Sequence, residues 1–251
     1  MKLKTLKLTL KSDRPVKEDA AKLRGFFATR FNEYVVAEAY PLKQGLKHEY
    51  ALLHHHINVA EAHPLKQGLK HVDKLLYRYP RIQYKIIEGT AVVLGIEEGA
   101  EVLKEIYDKY DEIKLGDSVY TIVERGITLK EEEFGISSEI LSYEFITPWI
   151  ALSQNNHQRY LESKSDRGEL LRRTLVGNIL SASKGLDYVV LEEINLGIGR
   201  LREKKCKIKG TSFIGFIGKF IVNFVIPDYM GVGRSVSRGF GTIKRIKLCN
   251  S

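Results

Sequence analysis

Apolar and polar residues alternate from Leu3 to Leu10, with Leu6, Leu8 and Leu10 on one side, and a period of two predicts a half-buried strand. Ser12 or Asp13 can cap a following helix, and Pro15 suits its first turn. In that helix Leu23, Phe27, Phe31 and Tyr34 recur at i, i+4, i+8 and i+11, forming one buried stripe. Apolar runs over residues 84–88 and 91–96 meet at Gly89 and read as a hairpin. A second amphipathic helix over 97–110 turns Leu103, Ile106 and Tyr110 inward, with Glu98, Glu101, Glu105 and Asp108 outward. Strands at 112–115 and 118–124 are joined by the Gly116–Asp117 turn. The order β-α-β-β-α-β is the ferredoxin-like pattern.

The second half repeats the theme. Residues 140–146 read as a strand stopped by Thr147–Pro148, and helical spacing covers 150–162 and 167–182, the latter with Leu171, Leu175 and Ile179 on one face. Strands are predicted at 188–192, 206–209, 213–225 and 241–248. The expected fold is α+β, two tandem ferredoxin-like domains over 1–130 and 131–251. An insertion at 36–81 interrupts the first. Within it VAEAYPLKQGLKH, residues 36–48, returns as VAEAHPLKQGLKH, residues 59–71. Two copies are too few to stack into a repeat array, so the duplication reads as a tolerated insertion in a surface connection.

Composition narrows the class. At 251 residues, 43% hydrophobic and 28% charged, the chain is globular rather than disordered. No apolar run approaches the roughly 20 residues of a membrane-spanning helix. The amino terminus lacks the apolar block of a secretory signal, so a cytoplasmic protein with no membrane partner is expected. Two cysteines, Cys206 and Cys249, are too few for a disulfide framework or a four-cysteine zinc site. The net charge of +9 is unevenly spread: from Gly197 onward 12 basic residues face two acidic ones, Glu203 and Asp228. Such a surface attracts a polyanion, nucleic acid above all. The plain alternatives are a solvated lysine face or heat adaptation, which would raise Glu alongside Lys.

The sharpest motif runs from Gly231 to Gly241. Gly231, Gly233, Gly239 and Gly241 allow the backbone close to a phosphate chain, Ser235 and Ser237 add hydroxyl donors, and Arg234 and Arg238 add charge-assisted bonds. It is neither a Walker loop nor a dinucleotide fingerprint; the bland alternative is a long turn. Lys184, at a helix end, suits a phosphate contact or a cap on that helix's carbonyls. Six of seven histidines lie between His48 and His71. On an extended segment His54 and His56 share a face. No carboxylate or cysteine completes a zinc site there, whereas a histidine near pH 7 can exchange protons with a ribose 2′-hydroxyl or a leaving 5′-oxygen. His157, in a helix, is expected to be structural.

The G-h-G-x5-G-h-G arrangement of Gly231 to Gly241, near the carboxyl terminus behind two ferredoxin-like patterns, resembles the glycine-rich loop of the CRISPR-associated RNA-processing endoribonucleases. These form the sixth Cas family, in the RAMP superfamily. Lys209–Gly210, the strand before it and a histidine-bearing segment after the first helix agree with that resemblance. It implies that the loop grips RNA, with Arg234, Ser235, Ser237 and Arg238 as contacts. It also implies that His54 or His56 acts as a metal-free general acid-base group, with Tyr34 the next residue to test. The implied substrate is single-stranded or hairpin CRISPR repeat RNA, cut by 2′-hydroxyl attack with no cofactor. A non-catalytic RNA-binding scaffold of the same fold is the alternative, and a homodimer or membership of an effector complex stays open. Because the loop is read as functional rather than core, bulky residues at Gly233 or Gly239 are expected to weaken RNA binding more than they lower stability.

Overall fold

The computed structural model describes residues 1–38, 79–208 and 210–246, with side chains described outside 30–38 and 154–155. β1 (Lys2–Ser12) is the middle strand of a five-stranded sheet completed by β2 (Ile82–Ile87), β3 (Thr90–Ile96), β4 (Glu112–Leu115) and β5 (Ser118–Glu133). The order is β2-β3-β1-β5-β4, every neighbouring pair antiparallel. The alternation of β1 sends Leu6, Leu8 and Leu10 under α1 (Ala20–Glu38) and α2 (Glu98–Ile106), where they meet Leu23, Phe27 and Leu103. The helix cap differs from expectation. β1 continues through Ser12, so α1 starts later, and the Asp19 carboxylate accepts the Lys22 N–H at 3.0 Å.

β5 reaches Glu133 and β6 (Gly135–Phe145) starts two residues on. Then come α3 (Gln154–Glu162), α4 (Arg167–Gly185), β7 (Leu196–Ile198), β8 (Arg202–Ile208), β9 (Thr211–Ile217), β10 (Lys219–Val225) and β11 (Ile243–Ile246). The second sheet has the order β11-β6-β10-β7, which is the ferredoxin-like order with β8-β9 as an inserted two-stranded hairpin. Between its third and fourth strands, where a ferredoxin-like unit carries its second helix, stands the glycine-rich loop with a single 3-10 turn, Val236–Arg238.

Two strand expectations are corrected. The apolar run 213–225 is not one strand: Gly218, at φ 151°, breaks it into β9 and β10, which belong to different sheets. Any Cβ at Gly218 would lie 2.6 Å from the Arg200 carbonyl oxygen. Residues 188–192 form no strand, despite their alternation. Pairing with β10 begins only at Asn195, which accepts the Asn223 N–H at 3.2 Å and donates its own N–H to the Asn223 side chain at 2.7 Å, while that side chain also donates to the Glu193 carbonyl at 3.0 Å. Val189 and Leu191 are left 73% and 90% exposed. Among the described residues no helix is long and apolar enough to cross a membrane.

Candidate nucleic-acid interface

The glycine-rich segment is closed at its base and packed along its length. Tyr229 N–H donates to the Ile243 carbonyl, Ile243 N–H to Met230, and Val232 N–H to Gly241, so the two limbs form a short ladder. Val232 and Val236 are buried in the second core with Trp149 and Phe145. On its other side the loop lies against the first sheet. Gly231 N–H donates to Gln83 Oε1 at 2.8 Å, and Tyr79 donates its hydroxyl to the Gly231 carbonyl at 2.6 Å. Gln83 Nε2 in turn donates to the Tyr79 hydroxyl at 2.9 Å, and Lys85 Nζ donates to Gln83 Oε1 at 3.0 Å. Gln83 and Lys85 are completely buried. Burial draws the Lys85 ammonium down to a pKa of about 7.

The tip of the loop meets α1. A Cβ at Gly239 would lie 2.7 Å from the Ala20 Cβ and 3.1 Å from the Tyr84 carbonyl oxygen, so the 3-10 turn sits directly on the helix and on β2. One helical turn beyond Ala20 is Arg24, half-buried; burial and the like charge of Arg238 both lower its pKa. Among the described residues neither arginine has a carboxylate partner. The neighbouring Tyr84 hydroxyl is buried with no hydrogen-bond partner among the described residues, and burial raises its pKa. Two cations and an unsatisfied hydroxyl therefore converge on the seam between the domains, an arrangement an anion would relieve.

The same imbalance extends over the second domain. All ion pairs among the described residues use cations before residue 174: Lys4 with Glu101, Lys11 with Glu124 and Arg125 with Asp111 are examples. Arg202, Lys204, Lys205 and Lys207 on β8 are exposed, and no ion pair among the described residues uses them.

A family pattern described as the Cas6b N-terminal domain matches residues 1–63 and 44–133, and the Cas6b C-terminal domain matches 135–246. The chain belongs to the Cas6b family. Its N-terminal matches overlap at 44–63, inside the duplicated segment, which is what a single-copy pattern produces on meeting a duplication. A solved structure titled "Crystal structure of Cas6b" superposes with a TM-score of 0.78 at 33% identity, covering 98% of this chain and 100% of that one. A second, a CRISPR RNA processing endoribonuclease Cas6b, gives 0.70 at 31% identity with the same coverage. An uncharacterized protein of Methanocaldococcus jannaschii is 46% identical over 144 residues, 57% of this chain and 98% of its own length. More distant RAMP and Cas6 structures, at 12% identity and TM-scores of 0.53 to 0.54, share the fold.

Within this Cas6b chain the expected site residues fall into three groups. Arg234 is exposed and Ser235 and Arg238 are half-exposed on the loop, while Lys184 is exposed at the end of α4. Gly231, Ser237, Gly239 and Gly241 are buried, so they shape the loop from beneath. That corrects the expectation that the loop stands apart from the core: a side chain at Gly239 collides with α1 before it meets any ligand. His54, His56 and nearly all of the 36–81 insertion lie outside the described residues, and Tyr34 falls in α1 with its side chain undescribed. His157 is exposed on α3. Among the described residues no cluster of His, Cys, Asp or Glu is placed to hold a metal ion. Sequence reasoning missed Arg24, whose position one turn from the helix start carries no pattern of its own.

Proposed function

We propose that this Cas6b chain is an endoribonuclease that cuts CRISPR repeat transcripts by attack of a ribose 2′-hydroxyl on the adjacent phosphate. The attack leaves a cyclic phosphate and a free 5′-hydroxyl. The carrying observation is the segregation of charge. Every ion pair among the described residues uses a cation before residue 174, whereas the described cations of the loop and β8, and the Arg24–Arg238 pair, are in none of them. An RNA backbone supplies the missing anions. Two neighbouring Cas6b structures and the matched family pattern support the substrate class.

In this reading Arg234, Ser235 and Arg238 hold phosphates, and Lys184 adds a contact at the end of α4. Arg24 and Arg238 stabilise charge that accumulates on the phosphorane oxygens. His54 or His56 removes the proton from the 2′-hydroxyl or returns one to the 5′-oxygen, with Tyr34 next in line, and no metal takes part. The test is single-turnover cleavage of repeat-derived RNA in excess chelator. His54→Ala or His56→Ala is expected to slow cleavage by about 10²- to 10⁴-fold while leaving affinity nearly unchanged. Binding without cleavage by the unaltered protein makes it an RNA-binding scaffold instead. Wild-type rates in both histidine variants transfer the role to Tyr34.

A further inference from the structure

Beside the exposed limb of the glycine loop, α4 and the loop enclose a cavity of about 250 Å³. Asn178 and Ser181 line it from the helix, Arg234 and Ser235 from the loop, and the Tyr79 ring closes one wall. The lining holds no carboxylate. Its polarity is one-sided for a specific reason. The Asn178 carboxamide oxygen accepts the indole N–H of Trp149 at 2.9 Å, and an indole can only donate. The orientation of the amide is thereby fixed, and its NH2 group has to face the other way. Gly233 runs flush against this pair: a Cβ there would lie 2.6 Å from Trp149 Nε1 and 3.1 Å from Asn178 Oδ1. Arg234 spends one N–H on the Leu152 carbonyl at 3.2 Å and keeps the rest of its guanidinium for the opening. The cavity thus offers amide, guanidinium and hydroxyl donors, and no charged acceptor.

We infer that this cavity is a phosphate subsite, in which Asn178 and Ser181 of α4 work with Arg234 and Ser235 of the loop to hold one phosphodiester of the bound RNA. The assignment to RNA rests on the function proposed above; the anion chemistry of the cavity does not. Asn178 is a binding residue oriented by Trp149, and helix α4 becomes half of a grip that the loop motif alone leaves incomplete. Ser181 follows Asn178 at i+3, and Lys184 follows Ser181 at i+3, so one helix face carries the RNA path away from the cavity.

The chain supplies its own reporter, because Trp149 is its single tryptophan. Wild-type protein titrated with inorganic phosphate is expected to show a saturable change in Trp149 emission. Asn178→Asp keeps the acceptor for the indole and removes both amide donors. That variant should lose the phosphate response at an unchanged melting temperature and bind repeat-derived RNA about tenfold or more weakly, the worth of hydrogen bonds to a charged group. Ser181→Glu, at an exposed helical position that threatens no packing, should weaken RNA binding as well, while Leu180→Glu, off the lining, should leave the phosphate response intact. A flat phosphate titration overturns the subsite whatever the chain does with RNA, and so does an Asn178→Asp protein with wild-type RNA affinity. A chain that responds to phosphate but binds no repeat RNA supports the subsite and sinks the RNA-processing reading.

Discussion

Lys85 places an ammonium where water cannot reach it. It is fully buried, its one hydrogen-bond partner is Gln83, and its pKa is drawn from 10.5 to about 7 by burial. Between those values the unfolded chain holds a proton that the folded one has released, so stability rises with pH across that window. Below pH 7 both states hold the proton and the penalty is constant. The expected gain is at most about 1.4 kcal/mol per pH unit. Melting temperature measured from pH 7 to 10 should therefore climb more in the wild type than in Lys85→Met, and Lys85→Met should be the more stable protein at pH 7. Equal slopes in the two proteins would mean the ammonium is not desolvated. The sequence of β2 gives no hint of this. Ile82, Tyr84 and Ile86 alternate with Gln83 and Lys85, which reads as an apolar face toward the core and a polar face toward water. The second face is covered instead by Gly231 and Gly239 of the other domain, and no period within a strand can report a partner almost 150 residues away. Arg24 and Asn178 escaped notice on the same ground: each acquires its role only from what packs across from it.

At the scale of elements, the loop replaces a helix, and its glycines are there because of contact as much as conformation. Gly241 has φ 64°, and a Cβ would sit 2.0 Å from the Val232 carbonyl oxygen. Gly177, on α4, has nothing within 4 Å of where its Cβ would lie. The two should answer the same substitution with opposite signs. Gly177→Ala is expected to raise unfolding free energy by about 0.5–1 kcal/mol, the helix-interior value. Gly241→Ala should lower it by roughly 3 kcal/mol or more, from backbone strain and overpacking together. Denaturant melts of both variants check this, and a neutral Gly241→Ala would show that the two limbs of the loop can part at Val232. Elements with a strong single period were legible: β1, the hairpin of β2 and β3, α2, and the face of α4 bearing Leu175 and Ile179. What failed were the features that depend on neighbours. The stretch 188–192 alternates like a strand yet lies outside the sheets, pairing with β10 beginning only at Asn195, and the apolar continuity of 213–225 hid the break at Gly218. The four glycines at 231–241 advertised a loop, but not that it would be buried between two cores.

At the scale of the whole molecule, charge is sorted along the chain. The ion pairs among the described residues, each worth little, all use cations before residue 174, and basic and acidic residues nearly balance up to Leu196. From Gly197 onward 12 basic residues face two acidic ones, and eight of the 12 are divided among β8, the loop and β11 rather than gathered in one run. If the RNA follows them, its affinity must depend on salt through the counterions each contact releases, with log K falling by about 0.7 per contact for each unit of log salt on a single strand. Lys205 and Lys207 allow this to be measured without disturbing the fold, since both are exposed, unpaired and on the same side of β8, opposite the buried Cys206. Replacing both with Glu should change stability by no more than about 0.5 kcal/mol, as at other surface positions. The same double variant should flatten the salt slope for repeat-derived RNA by about 1.4, two contacts' worth, and weaken binding most at low salt. Lys11→Glu, which breaks a pair with Glu124 in the first domain, is the matched control and should leave the slope alone. Were the β8 variant to keep the wild-type slope, the RNA would have to pass over the loop and α4 without touching the hairpin. Flattening in both proteins would mean that the field of the whole chain, rather than contacts along β8, sets the affinity.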